Sequence, residues 1–163
     1  MSISVDAPCF KKTREEFVLN QQWHAHRIRV QYHETDQMGV VHHSNYIKWF
    51  EQGRTEMIRR AGISYGEMEG LGLLLPVVDV QVKYRRPARY DELVKVYTRI
   101  SKLSPVVMEF DYEVRLKGED WGSEELLAEG RTSHMWINEE WRPTRLNRRA
   151  PEVYEELVRL ANN

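Results

Sequence analysis

The sequence predicts an α+β fold: one long amphipathic helix packed on a curved antiparallel sheet of five to six strands. Three observations predict it. A single long segment, about Asn45–Ala61, has helical periodicity. One alternating segment precedes it and four follow it. The connections between the later strands are short, and short connections join antiparallel neighbours, because a parallel pair needs a crossover of a dozen or more residues. One helix and one sheet then bury their apolar faces on each other.

Residues 1–25 are polar and weakly patterned. They read as an N-terminal arm, either loose or carrying a short helix around Arg14–Gln22. The domain proper spans 26–140. His26–His33 alternates, with Ile28, Val30 and Tyr32 on one face and Arg27, Arg29 and Gln31 on the other, as in a half-buried strand. Asp36 and Gly39 mark a loop, and His43 or Ser44 is placed to cap the helix. The helix stripe is Tyr46, Ile47, Phe50, Met57, Ile58 and Ala61, with Trp49 read as off the stripe, free to meet an interface or line a pocket. Gly53 lies on the stripe, where glycine costs about 1 kcal/mol relative to alanine. A close approach of backbone or sheet would explain it. Gly62 stops the helix after Arg59 and Arg60, whose charge suits the negative end of the helix dipole.

From Leu73 the period becomes two. Val78, Val80, Val82 and Tyr84 share one face, opposite Asp79, Gln81, Lys83 and Arg85. A turn with Pro87 and Asp91 leads to a strand with Val94, Val96, Thr98 and Ile100 inward. After Ser104-Pro105 comes the clearest strand signal, Val106, Met108, Phe110, Tyr112 and Val114 alternating with charged neighbours. A loop at Lys117–Gly122 precedes a last strand, about Glu125–Ile137. Residues 141–163 form a C-terminal arm with a short helix, Glu152–Leu160, after Pro151.

Composition bounds the function. The 163 residues carry 24 Lys+Arg against 25 Asp+Glu, a net charge of −1, with 41% hydrophobic and 30% charged residues. That balance excludes a generally basic nucleic-acid binder and an acidic disordered tail. Cys9 is the single cysteine, so neither an internal disulfide nor a cysteine-rich zinc module forms. No segment reaches the roughly 18 apolar residues of a membrane helix. The expectation is a cytoplasmic protein with no membrane span and no nucleic-acid partner.

The chemistry concentrates in residues 32–46, where two carboxylates, three histidines and two tyrosines join the first strand to the helix. A helix start offers unpaired N–H groups that can hold an oxyanion. A carboxylate just before it can act as base or nucleophile. Gly39 lets the chain turn close to a ligand. The plain alternative is a polar turn, with Asp36 in a capping role.

This stretch resembles the 4-hydroxybenzoyl-CoA thioesterase-like family of hotdog-fold acyl-CoA thioesterases, whose pattern is approximately Tyr-x-Asp-Thr-Asp-x-x-Gly-Val-Val-x-His-x-x-Tyr. Tyr32, Thr35, Asp36, Gly39, Val40, Val41, His43 and Tyr46 stand in register. Phe50-Glu51, Arg54-Thr55-Glu56-Met57 and the turn Tyr84-x-x-Pro87-Ala88-x-x-Asp91 also look like the family. Glu34 departs from the family's usual Asp, keeping the charge on a longer arm, and receives no catalytic role.

The resemblance implies a hotdog fold and hydrolysis of an acyl-CoA thioester, with no cofactor, since coenzyme A is part of the substrate. It implies that Asp36 is the catalytic carboxylate. The backbone N–H at His43 would be the oxyanion donor, with the His43 side chain shaping the site and Tyr32 in support. Gly39, Val40 and Tyr46 would line the substrate site, with Lys83, Arg85 and Arg86 offered to the coenzyme A phosphates. It also implies a homo-oligomer, a dimer or tetramer, with sites shared between subunits. Two other classes fit the same segment: a dehydratase or isomerase acting on acyl thioesters, and a non-catalytic acyl-CoA-binding module.

Other motifs have plainer readings. Gly62-Ile63-Ser64-Tyr65-Gly66 matches the G-x-S-x-G nucleophile elbow, but that motif needs a strand before it and a helix precedes it here, so it reads as a helix-ending turn. No metal site is expected: there is no H-E-x-x-H, and His42 and His43 are adjacent, so they should point apart. His134 reads as a packed strand residue.

Overall fold

The computed structural model describes residues 22–117 and 123–162. Its elements in chain order are β1 (His24–Arg29), α1 (Ser44–Arg60), α2 (Tyr65–Gly70), β2 (Val77–Tyr84), β3 (Leu93–Leu103), β4 (Val107–Lys117), β5 (Glu124–Met135), α3 (Leu146–Arg149) and α4 (Pro151–Asn162). The expectations for Cys9, the Arg14–Gln22 helix and most of the 117–122 loop fall largely or wholly outside the described residues.

The five strands form one antiparallel sheet in the order β1-β3-β4-β5-β2. The sequence-adjacent pairs β3–β4 and β4–β5 are neighbours, as short connections require. Register shifts at Ile100/Lys102 and Val114/Arg115 bend the sheet locally. α1 packs on β1, β3 and β4.

The predicted inward rows are buried: Val94, Val96, Thr98 and Ile100 on β3, and Met108, Phe110, Tyr112 and Val114 on β4. The Phe50 ring stacks on Tyr112 at 4.3 Å, joining helix to sheet. Gly53 meets its expectation. A Cβ there would lie 2.5 Å from Thr98 Oγ1 and 3.0 Å from Val96 Cγ1, so the sheet presses against the helix backbone.

Several expectations need correction. β1 ends at Arg29, and Tyr32–Glu34 form a 3₁₀ turn rather than the end of a strand. Trp49 is fully buried and Ile47 is exposed. The reason is helical spacing: Tyr46, Trp49, Phe50, Gly53 and Met57 follow the i, i+3, i+4, i+7 pattern and share the core face. The segment after Gly62 is more than a turn. Gly62, at φ +80°, ends α1, and Ser64 then caps α2. Glu67 N–H donates to Ser64 Oγ at 3.1 Å, and Ser64 N–H donates to the Glu67 carboxylate at 3.0 Å. This S-x-x-E capping box is readable in the sequence, and it employs the Ser64 hydroxyl structurally.

The C-terminal segment closes the core rather than trailing from it. Leu146, Ala150, Leu157 and Ala161 are all buried, and α4 packs on β3.

Candidate active site

The loop from Glu34 to His43 is held by its own backbone. His42 N–H donates to Glu34 O at 2.9 Å, and the Asn45 amide donates to the same carbonyl at 2.8 Å. Within this frame Asp36 N–H donates to Val40 O and Gly39 N–H returns to Asp36 O, both at 2.9 Å. Gly39 has φ +74°, a conformation that glycine adopts without a Cβ clash. Met38 N–H donates to Asp36 Oδ1 at 2.8 Å. One carboxylate oxygen is thereby oriented, and among the described residues no donor reaches Oδ2.

Asp36, Met38, Val40, Val41, His43 and Tyr46 line one side of a cavity of about 310 Å³. Tyr84, Arg85, Arg86 and Pro87 line the other. Ligand sites typically occupy about 300–1,000 Å³, so the volume in one chain is at the small end. His43 is the N-cap of α1 and has no side-chain cap hydrogen bond. Among the described residues, the His43 N–H has no acceptor. The cavity therefore joins a carboxylate to the positive end of a 17-residue helix.

The predicted residues divide. Asp36, Val40, His43, Tyr46, Arg85 and Arg86 come together in this cavity. Tyr32 does not line it: its ring is 78% exposed and sits edge-on to Tyr90 at 5.6 Å. Gly39 shapes the turn without lining the cavity. Lys83 sits in a groove elsewhere on the sheet with Trp23, Arg99 and Glu129. Alternation would keep Lys83 and Arg85 on one face, but β2 ends at Tyr84, and the Arg85 and Arg86 N–H groups both donate to Leu127 O, so the strand pattern stops before them.

Arg85 and Arg86 are not unpaired. Arg85 donates to Glu129 at 2.6 Å, and Arg86 pairs with Glu125. The arginine beside Glu129 holds that carboxyl below its ordinary range. Both arginines are more than half exposed, and such surface pairs contribute only about 0–1 kcal/mol.

The sequence places Tyr84 in the turn motif, and the structure brings it to the cavity. Its hydroxyl donates to His43 O at 2.9 Å, and its ring lies edge-on to Tyr46 at 5.2 Å. Its strand alternation, opposite to Lys83, was the available signal.

The histidine geometry also differs from expectation. The His42 and His43 rings lie 4.1 Å apart rather than diverging, because His42 Nδ1 turns back to Ser44 Oγ at 2.8 Å. His134 is a fully buried strand residue, with Nε2 hydrogen-bonded to Thr132 Oγ1 at 2.8 Å.

A helix lying on a five-stranded antiparallel sheet is the architecture of the hotdog fold, and here a carboxylate and the start of that helix share one cavity. The model of the Thioesterase superfamily (4HBT) matches residues 38–120. A Bacillus subtilis (strain 168) relative named "Putative acyl-CoA thioesterase YneP" is 35% identical over 126 residues, covering 77% of this chain and 88% of that one. The structure of a DHNA-CoA thioesterase from Staphylococcus aureus is 34% identical with a TM-score of 0.78, over 85% of this chain and 90% of that one. A Thermus thermophilus protein, TT1821, described as hypothetical, is 40% identical with a TM-score of 0.75, over 83% of this chain and 98% of that one. This chain belongs to the thioesterase superfamily and has its hotdog fold.

Proposed function

We propose that the protein hydrolyses acyl-CoA thioesters to a free acid and coenzyme A, with Asp36 as the reacting carboxylate and the His43 N–H as the oxyanion donor. The observation that carries this reading is the shared cavity, which brings both groups to the start of α1. The substrate carbonyl oxygen accepts the His43 N–H and the helix dipole stabilises its developing charge. The leaving thiol has an ordinary pKa of about 8.5, so the C–S bond breaks to a thiolate with little acid assistance. The thiolate then takes a proton from water. Asp36 has two routes: direct attack to an acyl anhydride that water opens, or removal of a proton from an attacking water. In a single turnover in ¹⁸O-water, label in the Asp36 carboxylate establishes the anhydride route, because a water activated by a general base delivers its oxygen only to the product acid.

The rim reading for Arg85 and Arg86 is supported by the weakness of their present pairs. A phosphate can replace the Glu129 and Glu125 carboxylates at small cost. The rings of Tyr46, Tyr84 and His43 favour a flat acyl group, and the S. aureus relative is named for DHNA-CoA.

We further propose that the site is completed by a second copy. The chain's own cavity is shallow, and it opens beside β2, an edge strand whose Val77, Val78, Val80 and Tyr84 are exposed. An apolar edge is normally covered, and pairing with another subunit covers it.

The test is Asp36→Asn, assayed on a series of acyl-CoA thioesters that includes aromatic ones. The expected result is a fall in kcat of about 100-fold or more at unchanged Tm. Near-wild-type hydrolysis would overturn the assignment. Hydration of an enoyl thioester without thiol release would favour a dehydratase instead.

A further inference from the structure

We propose that Tyr84 is a positioning residue for the reaction: its hydroxyl ties the His43 backbone to the end of β2 and so holds the oxyanion donor in place. This inference rests on the assignment of the His43 N–H above.

The N-terminus of α1 lacks a side-chain N-cap. Its N-cap side chain makes no capping hydrogen bond, and the neighbouring His42 takes the Ser44 N–H only at a long 3.4 Å on Nδ1 and the Asn45 N–H at 3.0 Å on its carbonyl. An uncapped first turn frays easily, because four N–H groups lack intrahelical partners. A donor that must meet a developing oxyanion tolerates displacements of only tenths of an ångström. Something outside the helix must hold it.

The segment 84–88 supplies that hold through three hydrogen bonds. Tyr84 Oη donates to His43 O at 2.9 Å. Ala88 N–H donates to Tyr46 Oη at 3.1 Å, and Val41 N–H donates to Ala88 O at 2.8 Å. The last two fasten Val41 and Tyr46 on either side of His43, and Glu34 O holds the nearer neighbours through the His42 N–H and the Asn45 amide. Only the Tyr84 bond reaches His43 itself, on the residue whose N–H is offered to the cavity. Two edge-on ring contacts keep the phenol in line, to Tyr46 at 5.2 Å and to His43 at 6.4 Å. Partial burial raises the pKa of the phenol, so it stays protonated and able to donate near neutral pH.

The ring and the hydroxyl can be separated experimentally. Tyr84 is 47% exposed, and its ring contacts survive in phenylalanine, so Tyr84→Phe removes the tether and leaves the wall of the cavity. With purified full-length protein and a single acyl-CoA, the variant is expected to lose about fivefold to tenfold in kcat, the worth of one hydrogen bond. KM and Tm stay at wild-type values. Tyr84→Leu removes the ring as well and raises KM in addition. Asp36→Asn is measured alongside. If it is inactive while Tyr84→Phe keeps kcat within twofold, the tether is overturned and the site assignment stands. A rise in KM at constant kcat in Tyr84→Phe also overturns it, because Tyr84 is then only part of the wall. If Asp36→Asn is active, the site assignment falls and takes this inference with it.

Discussion

The indole of Trp49 donates a 2.8 Å hydrogen bond to the Glu34 carboxylate inside the protein. Glu34 is only 8% exposed, and its other oxygen accepts the Gln31 N–H at 2.8 Å. The carboxylate thus pins the loop before Asp36 to the first turns of α1. Its longer arm, where the family pattern has Asp, is what reaches Trp49. Glu34→Ala leaves the buried Trp49 Nε1–H without a partner and removes two hydrogen bonds to a charged acceptor. A loss of about 2–4 kcal/mol in urea unfolding is expected. Glu34→Gln keeps the acceptor geometry and should lose less.

Gly53 is set by contact rather than by propensity. Alanine would gain about 1 kcal/mol as a helix former, yet its Cβ would enter the Thr98 hydroxyl. Gly53→Ala is therefore expected to destabilise the protein by about 1–3 kcal/mol, as overpacked cores do. Thr98 Oγ1 is buried and has no hydrogen-bond partner among the described residues, so it can be removed. Combining Gly53→Ala with Thr98→Ala should recover part of the lost Tm, a coupling that a double-mutant cycle reads directly.

Stability should fall on mild acidification. Burial, with the Arg54 charge nearby, lowers the pKa of His134 to about 4. The same side chain in the unfolded chain titrates near ~6.5. Between those values the unfolded state binds the proton and the folded state does not, so stability drops as pH falls through that window. The full effect is about 3 kcal/mol. The carboxylates held low by cations, Asp111 and Glu124 among them, titrate below most of this range. Thermal unfolding from pH 7 to pH 4.5 should show the slope, and His134→Gln should flatten it.

The edge strand gives the proposed pairing with a second copy a direct test. Val78 is 57% exposed on β2, which lies at the edge of the sheet among the described residues. Val78→Lys places a charge on that edge. Analytical ultracentrifugation is expected to show a shift to monomer, accompanied by loss of thioesterase activity. An unchanged sedimentation coefficient would place the interface elsewhere.

Much of this was readable from local pattern. Strict alternation on β3 and β4 fixed which residues face the helix, because a strand's side chains have only two directions to take. Short connections dictated antiparallel pairing. A glycine at position 53 on the helix stripe by itself implies a close approach, since nothing else offsets its helix cost. The resemblance of residues 32–46 to the family pattern carried the candidate site, because those residues are contiguous across the turn and the helix start.

What only the tertiary structure decided are relations between residues distant in the chain. Trp49 met Glu34 and entered the core. Tyr84 reached the His43 carbonyl from a strand 41 residues away. Lys83 parted from Arg85 and Arg86, and Tyr32 turned to Tyr90. Spacing along one element sets which face a side chain takes. It does not say which residue of another element waits there, because that depends on how helix and sheet settle against each other once the core is packed.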